Sequence, residues 1–109
     1  MQGDLGMAFM ERFKIKIYPA AKRDLSYIVD YLNILSPDAA LRQYDHIVEK
    51  IGGLSELPER CPLLKDPQLR LKAYRMLIVD NYLVFYVVKG DTVQIHRILY
   101  GPRQYEFLL

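Results

Sequence analysis

Four cations in the second half of the chain, Arg70, Lys72, Arg75 and Arg103, are the residues whose type and spacing most directly suggest chemistry. Metal-free cleavage of RNA needs a base for the 2′-hydroxyl, cations against the charge that develops on phosphate, and an acid for the leaving oxygen. If the chain is an enzyme, Lys72, Arg75 and Arg103 are the catalytic candidates for such a metal-independent endoribonuclease, with Arg70 as a further contact to nucleic acid or another target. An ordinary polar sheet face explains Arg70 and Lys72 equally well. Tyr74, Tyr100 and Tyr105 lie close in sequence to Arg75 and Arg103 and are candidates for contact with a partner, through stacking or hydrogen bonding. His96 is in phase with Thr92 and Gln94, so it reads as a solvent-facing sheet histidine available to a target rather than as a base.

The charge distribution supports that emphasis. Residues 60–109 hold eight Lys/Arg against four Asp/Glu, whereas residues 1–59 hold seven against nine, an asymmetry that suits an acidic or nucleic-acid partner. Other chemistries find no footing in the sequence. Cys61 is the single cysteine and His46 and His96 the only histidines, so no zinc-ligand spacing exists and neither a metal nor a cofactor is expected. There is no Gly-x-Ser-x-Gly elbow and no phosphate-cradling glycine loop. No apolar run approaches the ~18 residues that span a bilayer, so the expectation is a cytoplasmic protein without a membrane partner.

The elements that must position these residues follow from periodicity. At 109 residues, 51% hydrophobic, the chain is expected to build one domain over residues 12–109, after a loose, disordered tail at 1–11. Phe13 to Ile17 alternates apolar with charged, as a half-buried strand does. After Pro19, Ala21, Leu25, Ile28, Val29, Leu32 and Leu35 fall on one helical face. Ser36-Pro37-Asp38 starts a second helix, because serine caps, proline fits the first turn and aspartate favours the dipole. Its buried stripe is Ala40, Tyr44, Ile47, Val48, Ile51 and Leu54, with Leu57 near its end. Gly52 and Gly53 either end this helix early or mark a close approach to a sheet, the second being the preferred reading. Glu59 to Pro67 reads as a loop, Leu69 to Ile78 as a strand, and Tyr82 to Tyr100 as a hairpin turning at Lys89-Gly90-Asp91. A strand from Leu69 sends Arg70, Lys72 and Tyr74 to one face and puts Arg75 on the apolar side unless a bulge turns it. Tyr44, Tyr82 and Tyr86 read as core residues or hydroxyl anchors. The fold class is α+β, in the order β-α-α-β-β-β: a helical hairpin packed on a twisted, mainly antiparallel four-stranded sheet.

That order, with Pro19-Ala20-Ala21, Asp24-Leu25, Asp30-Tyr31-Leu32, Leu57-Pro58, Tyr74-Arg75, Asn81-Tyr82-Leu83-Val84-Phe85-Tyr86 and Arg97-Ile98-Leu99-Tyr100-Gly101-Pro102-Arg103, resembles the RelE/ParE superfamily of type II toxin–antitoxin (plasmid stabilisation) toxins from about Tyr18 to Leu109. The resemblance implies a growth-inhibiting toxin silenced by a cognate antitoxin in a hetero-oligomer. It also implies one of two targets: DNA gyrase, bound without hydrolysis in ParE-like members, or the ribosome with its mRNA, cut without metal in RelE-like mRNA interferases. RelE-like members carry an arginine just after the tyrosine that opens the third strand, and here that position is Leu83. They also place a tyrosine or histidine near the C-terminus, where this chain ends Glu106-Phe107-Leu108-Leu109, and only Arg103 matches their pattern. The resemblance therefore favours a ParE-like toxin that acts by binding, with RelE-like cleavage as the alternative and a non-toxic RNA- or protein-binding module on the same fold as a third reading.

Overall fold

A computed structural model describes residues 12–101 and Leu109. Strand β1 (Lys14–Ile17) is followed by helices α1 (Pro19–Leu35) and α2 (Pro37–Gly52), a short helix α3 (Pro67–Leu71), and strands β2 (Arg75–Val79), β3 (Tyr82–Lys89) and β4 (Thr92–Tyr100). The four strands form one sheet in the order β1-β4-β3-β2, with β1 parallel to β4 and the other pairs antiparallel. The α+β order expected from the sequence is present, with α3 as an addition. No helix of the described residues is long and apolar enough to cross a membrane.

Ser36 joins the two long helices by itself. Its backbone N–H donates to the Leu32 carbonyl at 2.8 Å, ending α1, and its Oγ accepts from the Ala39 N–H at 3.2 Å, capping α2. A one-residue connection forces the helices into a tight hairpin, whose inner stripe of Ala21, Leu25, Ile28, Ile47 and Ile51 packs on one face of the sheet. There it meets Leu77, Val79, Tyr82, Val84, Tyr86, Val93, Ile95 and Ile98. The opposite face carries a second cluster, in which Leu64, Leu69 and Tyr74 cover Phe85, Val87 and Leu99. Strand β3 is thus enclosed on both sides, which is why its residues form an unbroken apolar run rather than an alternation.

Several sequence expectations require correction. The strand expected from Leu69 begins at Arg75, and Pro67–Leu71 is helical. Asp66 caps α3 by accepting from the N–H groups of Gln68 and Leu69 at 3.0 and 3.1 Å. Asp66-Pro67 is the same start signal as Ser36-Pro37, but the prolines around it suggested a loop. The chain then reverses through Ala73, at φ 64°, so Arg70 and Lys72 do not share a strand face with Tyr74. α2 ends at Gly52 and continues as a short 3-10 turn over Gly53–Ser55. A Cβ on Gly52 would meet nothing within 4 Å, so no close approach to the sheet explains that glycine. Leu57 closes no helix; it sits at φ 52° and is exposed. Leu35, Tyr44 and Val48, assigned to buried stripes, are also exposed.

The double role of Ser36 makes a first test. Ser36→Ala should lower unfolding free energy by about 1 kcal/mol, the usual worth of an N-cap. Urea denaturation measures it, and an unchanged midpoint would mean that backbone geometry alone holds the hairpin.

Candidate functional site

Strand β4 is irregular where it matters most. Phe85 pairs with Arg97 and Tyr86 with Ile95, so His96 is an extra residue in a β-bulge. A bulge breaks the side-chain alternation and disturbs the ladder locally. Asp24, one turn into α1, meets this irregularity directly. Its carboxylate accepts from Arg97 Nε at 2.7 Å and Nη2 at 2.9 Å, and from the Ile98 backbone N–H at 3.0 Å. The Asp24 and Arg97 side chains are only 14% and 22% exposed, so this bidentate pair is shielded from water rather than lying loose on the surface. The hydrogen bond to Asp24 raises the Arg97 guanidinium further above its ordinary pKa and keeps it charged.

Arg97 borders two concavities. One, of about 290 Å³, is lined by Tyr18, Pro19, Ala20, Tyr74, His96, Arg97 and Leu109. Here the His96 ring stacks on Tyr18, centroids 4.6 Å apart, and meets the Tyr74 ring edge-on at 5.2 Å. His96 Nε2 faces Gln94 Oε1 at 3.2 Å and Nδ1 faces the Tyr74 hydroxyl at 2.9 Å. Gln94 presents an acceptor, so the proton belongs on Nε2 and the Tyr74 hydroxyl donates to Nδ1. Burial, then the charge of Lys89, lowers the pKa of His96, and burial raises that of Tyr74. His96 is therefore a half-buried, neutral ring with both nitrogens engaged, not the solvent-facing histidine expected from its phase. The bulge is the reason. Lys16 Nζ lies 5.3 Å from the Tyr18 ring centroid and adds a cation beside the stack.

The other concavity is a groove of about 660 Å³ between α1 and the β3–β4 end of the sheet. Tyr27, Tyr31, Tyr82 and Tyr100 supply its aromatic walls, Gln43 and Asn81 its polar rim, and Asp24 and Arg97 its ionic element. Tyr27, Tyr31 and Tyr100 are 75%, 59% and 55% exposed, a concentration of aromatic surface that a small domain does not ordinarily leave open. Tyr82 and Tyr100 meet edge-on at 5.7 Å. Gly101 packs closely against the β2–β3 turn. Its N–H donates to Asn81 O at 2.7 Å, and a Cβ there would come within 3.2 Å of that oxygen and 3.4 Å of Leu83 Cγ.

The candidates named from sequence are distributed rather than gathered. Tyr74 and His96 meet in the smaller cleft, and Tyr100 lines the groove. Arg75 braces a loop: its Nη1 donates to the carbonyls of Cys61 and Glu59, and Nη2 lies 3.9 Å from the Glu59 carboxylate. Arg70 and Lys72 are exposed on and just after α3. Arg103 and Tyr105 lie outside the described residues, as does the tail expected at 1–11. Of the tyrosines read as core, Tyr86 is fully buried and donates to the Pro58 carbonyl at 2.6 Å, while Tyr44 is exposed. The pairing of Asp24 with Arg97 and the groove tyrosines Tyr27 and Tyr31 were missed. An arginine between Ile95 and Ile98 in a buried strand, and an aspartate beside Leu25 on a helix, were the available signal for the pairing. Among the described residues, no three His, Cys, Asp or Glu side chains are grouped so as to hold a metal ion.

His96 makes the cleft sensitive to acid. Its folded pKa lies below the ordinary value, so the unfolded chain binds the extra proton first, and stability falls as pH drops below about 6.5. Urea midpoints should decrease between pH 7.5 and 5.5, and the decrease should be smaller in His96→Gln. Equal decreases would show that His96 does not contribute.

The family model for the ParE toxin of the type II toxin–antitoxin system parDE matches residues 15–105. The fold is similar to a chain of the chromosomal ParDE toxin–antitoxin system of P. aeruginosa, with TM-score 0.72, 25% identity, and coverage of 84% of this chain and 98% of that one. It is also similar in fold to a chain of the RelBE2 toxin–antitoxin complex of Mycobacterium tuberculosis, with TM-score 0.61, 22% identity, and coverage of 84% and 94%. No curated protein matches the chain. With most of its length matched by the family model, and a bulged sheet beneath a helical hairpin as its architecture, the chain belongs to the ParE toxin family of type II toxin–antitoxin systems.

Proposed function

We propose that the protein inhibits growth by binding its target, DNA gyrase, and that a cognate antitoxin silences it by occupying the tyrosine-lined groove. The observation that carries the binding reading is the use of Arg75. A catalytic cation must face a phosphate, whereas this guanidinium is spent on two loop carbonyls. Lys72 is the exposed residue that ends α3, and Leu83 occupies the position where RelE-like ribonucleases carry an arginine. Family membership supports the same reading.

The antitoxin reading rests on the groove. Exposed aromatic walls with a few convergent polar groups suit an apolar helix or strand of a partner, and both similar structures come from toxin–antitoxin systems. Ribosome-dependent cleavage of mRNA is the second reading, and one observation favours it. His96 is a neutral imidazole in the smaller cleft, and it would act as a base if the Tyr74 hydroxyl released Nδ1 to a substrate.

Induction of the gene alone should stop growth, stall plasmid supercoiling and leave ribosome-bound mRNA intact. mRNA cut within minutes with supercoiling unaffected, and the cuts lost in His96→Gln, would replace gyrase binding with RNA cleavage. Normal growth at good expression would favour a non-toxic module. Tyr31→Glu should weaken antitoxin binding at least ~10-fold while leaving toxicity intact, because it puts a charge in the apolar wall. Unchanged antitoxin affinity would remove the groove from the reading.

A further inference from the structure

The polar rim of the tyrosine groove has a fixed sense of hydrogen bonding, and the turn between β2 and β3 sets it. Asp80, in that turn, has a left-handed backbone at φ 55°, a conformation that aspartate and asparagine tolerate better than bulkier residues. Its Oδ2 accepts from two residues of α2, Gln43 Nε2 at 3.1 Å and His46 Nδ1 at 2.8 Å. The bonds from Gln43 and then His46 hold the Asp80 carboxyl below its ordinary pKa, so it is ionised near neutral pH. An ionised carboxylate accepts and cannot donate. The Gln43 amide therefore has one allowed orientation: its NH2 is committed to Asp80, and Oε1 is left for the groove that Gln43 lines. Beside a neutral partner the same amide would turn either way.

The rest of the groove leaves that acceptor unanswered. Asp24 and Arg97, the ionised side chains among the described lining residues, bond to each other. Burial, then the neighbouring Tyr100, Tyr31 and Asp80, raises the pKa of Tyr82 and keeps its hydroxyl protonated, so the Asp80 charge also reaches the groove wall. We propose that Gln43 Oε1 is the acceptor that selects the groove's occupant, that Asp80 is the residue positioning it, and that the antitoxin segment seated there brings an N–H donor to this oxygen. An amide, ammonium or guanidinium group supplies such a donor. The inference rests on the groove being the antitoxin site, and it adds the chemistry by which one segment is told from another. Tyrosine walls receive many apolar side chains, whereas a rim acceptor left unpaired on binding costs affinity. A segment with a carboxylate at this point is rejected by Gln43 Oε1 and by the Asp80 charge behind it.

Calorimetric titration of the full chain, made by cell-free synthesis, with the cognate antitoxin tests the assignment. Gln43→Leu keeps the bulk of the side chain and removes the acceptor, and it should weaken binding ~5-fold. Asp80→Asn suits the left-handed turn, so the thermal midpoint should stay within ~2 °C of wild type. It releases the Gln43 amide, however, and binding should weaken ~3-fold. In the Gln43→Leu background the same Asp80→Asn change should cost no more than ~1.5-fold, because Asp80 acts through Gln43. An Asp80 that merely supported the fold would lower affinity equally in both backgrounds. Unchanged affinity in Gln43→Leu would overturn the proposal, and so would full additivity of the two changes. Tyr31→Glu, measured alongside, separates this outcome from failure of the groove assignment. Binding weakened by Tyr31→Glu but intact in Gln43→Leu leaves the groove as the antitoxin site and removes the acceptor role; binding intact in both removes the two together.

Discussion

The contact between Asp24 and the bulged strand β4 is the constraint on which the remainder of the architecture depends. β1 pairs with β4 only as far as Ile95, so beyond that point the outer edge of β4 lacks a strand partner, and an unsatisfied buried amide costs about 1–3 kcal/mol. Asp24 takes up the Ile98 N–H and the Arg97 guanidinium with one carboxylate, joining positions 73 and 74 residues apart in sequence. It thereby ties α1 to the sheet strand that pairs with both β1 and β3.

The bulge also divides the molecule's two candidate surfaces. On one side lies the Tyr18–His96–Tyr74 stack, with its ring nitrogens fully used; on the other lies the open tyrosine groove. Arg97 borders both, held by a carboxylate that also lines the groove. The open surface suits recognition of another macromolecule, and the closed cluster suits support of the strand. A binding toxin needs a shape held in place more than it needs a convergent set of acids and cations, and the geometry around Arg97 meets that need.

Much of the fold was legible in the sequence because its signals were local. Ser36-Pro37-Asp38, the three- and four-residue spacing of α1, and the β-branched run at Tyr82 to Val88 each report one element within a few residues. Misreadings came where the deciding partner lies far away. Tyr44 and Val48 have the apolar phase of a core stripe, but α2 turns only a narrower face to the sheet, and periodicity cannot report how wide a contact will be. Arg75 looks like a phosphate ligand until the carbonyls of Glu59 and Cys61 are brought beside it by the loop. The Asp24–Arg97 pair was visible as two residues but not as one interaction. The chain between them has to fold before they meet.

A double-mutant cycle on this pair tests the central claim most directly, with Asp24→Asn, Arg97→Met and the double variant compared by urea unfolding. A shielded, bidentate pair whose carboxylate also accepts from the Ile98 amide should show a coupling energy of about 1–3 kcal/mol. Asp24→Asn alone should be the more damaging single change, because it weakens the bonds to the Arg97 guanidinium and to the Ile98 N–H at once. Additive effects within ~0.3 kcal/mol would contradict the account, because the two residues would then be independent and something else would hold the helical hairpin to the bulged strand.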